Sequence, residues 1–404
     1  MANSWKTLSD GDINRMALAS FHEKSKFLKT VNRSYDDRFA KIGAKNGGSI
    51  LLREPNRFTT RSGAVMQTQT ITERTQTLTA LTQYGVDLDI SSIDHTHSID
   101  DFQERVVSPA MDQLNATVES DAMASLYKDV FNLTGTPATT PASQAAVLNA
   151  GARLTQNLAP SSDRHVFLDP IAMSASVAAL GTYFHKASEL DRAFSDALIG
   201  NAANFNWWES AMVPAHTNGS RDDTTPVMDT STIANGATTI TTTGADGTFN
   251  KGDVFTIAGV YAVNPETKAA YSHLQQFVIT ADHTNDATDV LAIAPTIYIS
   301  GALQNVSVTS AGGGKAIVNV AAGGSGAAST AYTQNLAYHK DAFTFVTVDM
   351  YTDPKLNMTT TRNDGVSMRL WRSGDIINDT FPMRIDIMCG WKTTRPEWAV
   401  RVRG

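Results

Sequence analysis

Between Arg221 and Arg362 the chain contains no arginine, and between Trp208 and Trp371 it contains no tryptophan. Within this stretch Thr, Gly, Ala and Val dominate. Short runs (ATTITTT, DVFTIAGV, QQFVITA, VLAIAP, VSVTS, AIVNVAA) are separated by turn signals at Asn235-Gly236, Asp246-Gly247 and the glycine-rich AGGGK and AGGSG. β-Branched runs bounded by such turns predict an all-β module, a small barrel over about 226–334. The flanks have a different character. Helical patterns alternate with apolar strands up to about Val213, and AFTFVTVDMY, SMRLW, MRIDIMCGW and WAVRVRG follow the module. An α+β body interrupted by an inserted β domain accounts for this, and it requires the two flanking halves to pair with each other.

The part before the insertion offers surfaces that look unfinished. Residues 1–48 read as an arm, with a thin amphipathic helix from about Asp12 (Ile13, Met16, Phe21, Leu28) that needs a surface to pack on. From Ser49 the period becomes two. SILLREPNRF is a strand candidate, TTRSGA a polar turn, and MQTQTITERTQT a Thr-rich return. From Leu78 to Ile90 the even positions are apolar except Thr82, and Asp87 and Asp89 fall on the polar face. Read as one strand, this run is about 43 Å long. A two-stranded ribbon of that length has little core of its own and is marginal unless something covers it. Ser98 with Asp101, and then Ser108-Pro109, are helix-start signals. A helix without Gly or a further Pro is predicted to run to Phe131, about 35 Å long. Its apolar stripe (Ala110, Leu114, Val118, Ala122, Leu126, Val130) precesses around the axis and calls for neighbours on several sides.

The charge balance, 33 Lys+Arg against 40 Asp+Glu for a net −7, argues against a dedicated nucleic-acid binder. A single cysteine, Cys389, excludes an internal disulfide and Cys-based metal sites. The N-terminus lacks the apolar core of a signal peptide and no window is apolar enough to span a membrane, so a soluble product of a reducing cytoplasm is expected.

Constellations that would carry chemistry fail in turn. Asp94, His95 and His97 are the most metal-like cluster, yet three supported ligands are not visible. Gly312–Lys315 lacks the spacing of a phosphate loop, and Ser325 lacks the strand–turn–helix setting of a hydrolase nucleophile. Asp87 and Asp89 read as a solvated face, and His165 as a satisfied strand residue. Cys389, in phase with Met383, Ile385, Ile387 and Trp391, reads as a core thiol. Arg401 and Arg403 alternate with Trp398, Val400 and Val402 on a final strand and are expected on a solvated or inter-subunit face. No catalytic, cofactor-binding or metal residue is assigned, no cofactor is implied, and no enzyme is expected.

Three stretches resemble the major capsid (coat) protein family of tailed bacteriophages, in the lineage with an inserted domain that includes the coat protein of the short-tailed Salmonella phage. They are RHVFLDP (Arg164 to Pro170); NKGDVFTIAGVYAVNPETK (Asn250 to Lys268), with Gly252-Asp253 and Ala258-Gly259-Val260; and the C-terminal GDIINDTFPMRIDIMCGWKTTRPEWAVRVRG, with Gly374-Asp375 and Thr394-Arg395-Pro396-Glu397. The resemblance implies a Hong Kong ninety-seven-type capsid fold. Its parts would be an N-terminal arm (1–48), an extended β-hairpin loop (49–80), a peripheral domain with the spine helix (81–141), an axial domain in two parts (142–225 and 335–404, the latter with the C-terminal strands) and the inserted barrel (226–334).

The implied function is a structural subunit that assembles with its own copies into hexamers and pentamers of an icosahedral shell. The shell would enclose double-stranded DNA without sequence-specific binding. A separate scaffolding protein is expected, because the extended loop begins near Ser49 and leaves no room for a fused scaffold. A portal protein at one vertex, residence in the virion and assembly in the host cytoplasm, with no membrane, complete the expectation. Inter-subunit contacts are expected at Arg53, Arg57, Arg61, Glu73 and Arg74 on the loop, and at Arg401 and Arg403. The competing reading is a tail, baseplate or adhesin-like surface protein, suggested by the Thr/Gly-rich module.

Overall fold

A computed structural model of the chain describes residues 10–34, 49–71, 73–80, 82–89, 103–136, 139–141, 144–180, 200–220, 227–228, 233–243, 248–284, 288–309, 315–319 and 329–403. The chain divides into two compact units. One comprises Met1–Arg53, Thr75–Ala122 and Phe343–Lys392, the other Glu54–Arg74, Met123–Ala342 and Thr393–Gly404.

In chain order, α1 (Asp10–Lys24) and the single turn α2 (Phe27–Thr30) precede β1 (Ser49–Glu54), β2 (Arg74–Thr79) and β3 (Thr82–Leu88). Then come α3 (Ser108–Leu126), β4 (Leu133–Thr134), α4 (Gln144–Gln156), β5 (Arg164–Leu168) and α5 (Pro170–Leu180). Strands β6 (Asn201–Ala202), β7 (Phe205–Glu209), β8 (Ala215–Thr217) and β9 (Val227–Met228) lead to β10 (Ala237–Thr243), β11 (Val254–Val263) and β12 (Ala270–Ile279). They are followed by β13 (Thr288–Ile297), β14 (Val306–Val308), β15 (Lys315–Asn319), β16 (Ala331–Thr333), β17 (Asn335–His339) and β18 (Phe343–Thr347). The last strands are β19 (Met358–Asn363), β20 (Val366–Arg372), β21 (Met383–Thr393) and β22 (Ala399–Val402).

The first unit is built on the sheet β18-β21-β20-β19, with β3 paired to β21. The arm finds its surface inside this unit. Ile13, Ala17, Leu18 and Phe21 of α1 are buried, and Asn14 donates through Nδ2 to the carbonyls of Thr359 and Met368, each at 3.2 Å. Helix α2 is held by a carboxylate on α3. Glu119, 3% exposed, accepts from Lys26 N (2.7 Å), Leu28 N (3.2 Å) and Ser25 Oγ (3.2 Å). A carboxylate at the start of a helical turn satisfies amides that have no partner within the helix.

Burial raises the Glu119 pKa above its ordinary value against the lowering effect of these bonds. A folded-state pKa above the unfolded one means that the folded chain holds the proton more tightly. This group therefore favours folding below the ordinary carboxylate value and loses that contribution as pH rises through the raised one. Glu119→Gln is expected to abolish this loss, so that urea denaturation shows the variant gaining on the wild type as pH rises across the window. Glu119→Ala, which strips the amides of their acceptor, is expected to cost about 1–3 kcal/mol.

The strand expected to run unbroken from Leu78 to Ile90 is two strands with different partners. β2 pairs with β1, while β3 pairs with β21 from Thr82↔Cys389 to Leu88↔Met383. The two-residue period persists in β3, where Tyr84, Val86 and Leu88 are half-buried between exposed neighbours. β1 stops at Glu54 because Pro55 cannot continue donating to a ladder. The base of the ribbon is packed: Ile50, Leu52, Leu78 and Ala80 form a cluster with Val346, Val348 and Met388. Helix α3 begins at Ser108 as predicted but follows a wider π-turn (Gln103–Val107). It ends at Leu126, tightening into a 3₁₀ turn at Tyr127–Asp129, short of the expected Phe131. The Ser98 and Asp101 start signal lies outside the described residues.

The second unit holds a mixed sheet in the order β4-β22-β17-β5-β7-β6. One face carries α4 and α5, burying Val147, Ala150, Leu154, Ala172 and Met173 against Val166, Leu168, Phe205, Trp207, Val400 and Val402. The strand segments before and after the Arg-free stretch thus meet in one sheet. β17 pairs with β5 and with the C-terminal β22, and Asn335 Oδ1 accepts from Asp169 N at 2.8 Å. Strands of the Arg-free stretch bond in the order β12-β13-β10-β9-β15-β11, and β11 bonds back to β12, so the hydrogen bonding closes a circuit with β14 added on β11. Inside lie Ile240, Phe249, Phe255, Ile257, Phe277, Ile279, Leu291, Ile293 and Ile297. A register shift between Thr256 and Tyr261 lets β11 serve β15 with Phe255–Ile257 and β14 with Val260–Ala262. The circuit is fastened to β4 through the Gln276 side chain, which bonds Leu133 N and O at 2.9 Å each.

Candidate assembly surfaces and a buried polar hub

Residues Pro55–Ile71, the described part of the loop between β1 and β2, carry no helix or strand and are almost uniformly exposed. Phe58 (57%), Val65 (79%), Met66 (77%) and Ile71 (65%) present apolar side chains to solvent. Large apolar side chains exposed along one loop make this segment the candidate interaction surface. The loop has shape without core. Thr59 N donates to Gln69 Oε1 (2.9 Å), Gln69 Nε2 donates to Thr59 O (2.5 Å), and Arg61 donates to Gly63 O. A second exposed apolar pair, Ile376 and Ile377, sits on a turn between β20 and β21. There Asp375 accepts from Ile377 N at 2.9 Å and from Asn378 Nδ2 at 2.6 Å.

The loop charges are placed on this exposed segment and at its foot. Arg53, Arg57, Arg61 and Glu73 are exposed, while Arg74 is half-buried in a 2.9 Å ion pair with Glu54 across the ribbon. Arg57 also reaches Glu397 at 3.7 Å. Surface pairs of this kind contribute little to stability.

Arg401 and Arg403 are not on a solvated or inter-subunit face, contrary to the expectation from alternation. They are 0% and 2% exposed. β22 lies inside the sheet between β4 and β17. Val400 and Val402 face the helices, and the opposite face, which takes Arg401 and Arg403, is covered as well. Arg401 lies over the Tyr127 ring at 5.2 Å and donates through Nη1 to Gly252 O at 2.7 Å, while Arg403 lies over Tyr332 at 4.8 Å.

Around Arg401 the second unit assembles a polar hub from segments distant in sequence. His216 on β8 is the link: Nδ1 is 3.0 Å from Tyr127 Oη, and Nε2 is 2.8 Å from Asp253 Oδ1. Asp253, 1% exposed, also accepts from Gly219 N and Asn250 N, each at 3.1 Å to Oδ2. Gly252 takes φ +105°, the left-handed turn that glycine adopts without strain, and brings the Lys251–Asp253 corner to His216 and Arg401. Burial lowers the His216 pKa against the raising pull of Asp253, and burial raises that of Tyr127. Sequence reading singled out Gly252, Asp253, Arg401 and Arg403 but not Tyr127 or His216, which no local spacing connects to them.

Other candidates resolve as structure. His165 accepts from Trp208 Nε1 at 3.2 Å through Nδ1, and burial holds its pKa down to about 4, so it stays neutral at pH 7. Cys389 is buried, its thiol pushed up to about 12 by burial. Asp87 and Asp89 are exposed, the former 3.6 Å from Arg384. Asp94, His95, His97, Gly312 and Ser325 lie outside the described residues. Among the described residues no group of three His, Cys, Asp or Glu is placed to hold a metal ion, and no helix is long and apolar enough to cross a membrane.

Comparison with known proteins gives three results. Curated protein sequences yield no match. Among solved structures, the chain is similar to one from Mycobacterium phage Che8 at 12% identity, covering 93% of this chain and 90% of that one with a TM-score of 0.47. It is also similar to one from the capsid of cyanophage P-SCSP1u at 12% identity, covering 88% and 82% with a TM-score of 0.40. A virus-like particle from Pyrococcus furiosus gives 8% identity, 97% and 98% coverage and a TM-score of 0.39. The family model described as P22 coat protein, gene protein 5, matches residues 89–404, so the chain belongs to the P22 coat protein family.

Proposed function

We propose that this coat-family chain is the major capsid subunit of a tailed phage, self-assembling into hexamers and pentamers of an icosahedral shell around double-stranded DNA. The observation that carries the assembly reading is the exposed segment between β1 and β2, whose apolar side chains nothing within its described surroundings buries. An identical copy supplies a surface for it, repeated around closed rings. In the Hong Kong ninety-seven arrangement the arm is 1–48, the extended loop 49–80, the spine helix α3 with its peripheral domain 81–141, and the axial domain 142–225 with 335–404. The closed circuit of strands within 226–334 is the inserted module.

The net charge of −7 suits an inner wall that DNA does not adhere to. The partners are copies of this chain, a separate scaffolding protein and a portal protein at one vertex, and the site of residence is the virion after assembly in the host cytoplasm. Membership of a coat-protein family supports reading the subunit as a structural protein and not an enzyme.

Co-expression with the neighbouring scaffolding gene, followed by electron microscopy, is expected to show closed shells. A product that stays monomeric under those conditions overturns the reading.

A further inference from the structure

Where β3 and β20 end and β21 begins, the first unit has an open groove of about 450 Å³. That falls within the range of clefts that hold a ligand, about 300–1,000 Å³. Leu88, Trp371, Pro382 and Met383 supply its apolar lining, together with the exposed Asp87 and Asp89. Its charges do not cancel. Arg384 stands 3.6 Å from Asp87 but also donates to the buried Asp386 at 2.9 Å, which Arg369 meets at 2.7 Å. These two arginines and two aspartates balance one another. Asp89 is left over, exposed and with no cation within ion-pair distance among the described residues.

The loop between β1 and β2 has the converse pattern. Within Pro55–Ile71 the charged residues are Arg57 and Arg61. Arg57 is engaged with Glu397 at 3.7 Å, whereas Arg61 bonds the carbonyl of Gly63 inside the loop and meets no carboxylate among the described residues. Phe58, Val65 and Met66 flank it, all exposed. An uncompensated cation among apolar side chains thus matches an uncompensated anion beside an apolar groove. Trp371 adds an aromatic neighbour of the kind a guanidinium favours. The loop's apolar side chains stay exposed in the single chain, so the loop that fills the groove has to come from another copy.

We propose that this groove receives the loop tip of a second copy, with Arg61 pairing with Asp89 beside Trp371, and Phe58 and Met66 covering Leu88, Pro382 and Met383. The proposal rests on the reading that copies of this chain assemble through the loop, and it adds the surface that the loop meets. Arg and aromatic anchors at the centre of a contact carry most of its energy, and the pair is stronger once apolar neighbours exclude water from it.

The test is charge reversal and its rescue in the full chain, co-expressed with the scaffolding gene. Arg61→Asp alone and Asp89→Arg alone are each expected to lower the yield of sedimenting shells at least about tenfold, the effect of about 1.4 kcal/mol per contact. The double variant, with the pair inverted, is expected to recover most of the wild-type yield. Single variants that assemble at wild-type yield, or a double variant no better than either, overturn the groove and leave the assembly reading standing. Absence of shells from the wild type removes both. Should a single variant fail to fold, Arg61→Cys combined with Asp89→Cys decides, treated as shells with a bismaleimide cross-linker that the buried Cys389 does not reach. Covalent multimers support the contact, and monomers alone overturn it.

Discussion

Deleting Thr59–Ala64 is expected to leave a folded subunit that no longer assembles in wild-type yield. All six residues are exposed, and the bonds their removal breaks are the Thr59–Gln69 pair and the Arg61–Gly63 contact, both within the loop itself. Shortening a loop changes its closure entropy only logarithmically, so the stability of the isolated subunit should move by less than about 1 kcal/mol. Assembly answers differently. If the loop contributes as little as about 1.4 kcal/mol per contact, each association step weakens tenfold, and the penalty recurs at every copy around every ring. Thermal melting and circular dichroism measure the first quantity, and sedimentation of co-expressed particles measures the second. Shells at wild-type yield from the deletion contradict the assembly role of the loop, whereas an unfolded subunit contradicts its independence from the core.

The sequence exposes this loop because its cause is local. Pro55 stops β1, and the segment after it has too few apolar residues to form a core. The same holds for the start of α3 at Ser108-Pro109 and for the alternation that places Ile385, Ile387 and Cys389 inside. Causes that arrive from elsewhere in the chain stay hidden. Alternation correctly put Arg401 and Arg403 on the face opposite Val400 and Val402, but it cannot say what covers that face. The cover comes from Tyr127 and Gly252, 274 and 149 positions away by subtraction of residue numbers. His216 shares no spacing with its partners Tyr127 and Asp253 and acquires its role only when β8 and the Gly252 turn are brought together. The candidate functional surfaces divide in the same way: the exposed loop was legible, and the buried hub was not.

A contact of this long-range kind yields the other large effect. Gly390, inside β21, passes so close to the end of β2 that a Cβ on it would lie 2.0 Å from Thr79 O and 2.7 Å from Ala80 Cα. These atoms are backbone and belong to the point where the expected long strand breaks. Neighbouring Ala80 and Leu78 pack with Val346, Val348 and Met388, so the ribbon cannot retreat without opening that cluster. Gly390→Ala therefore has no inexpensive relaxation and is expected to destabilise the first unit by at least about 3 kcal/mol, the upper range for overpacking. Gly374→Ala is the matched control. Its added methyl meets only Phe381, at an ordinary 3.7 Å, and should change stability by less than about 0.5 kcal/mol. Urea denaturation of both variants against the wild type makes the comparison. Equal midpoints for Gly390→Ala and the wild type would mean that β2 and β21 do not approach as described. The ribbon would then lack the packed base formed by Ile50, Leu52, Leu78 and Ala80 with Val346 and Val348.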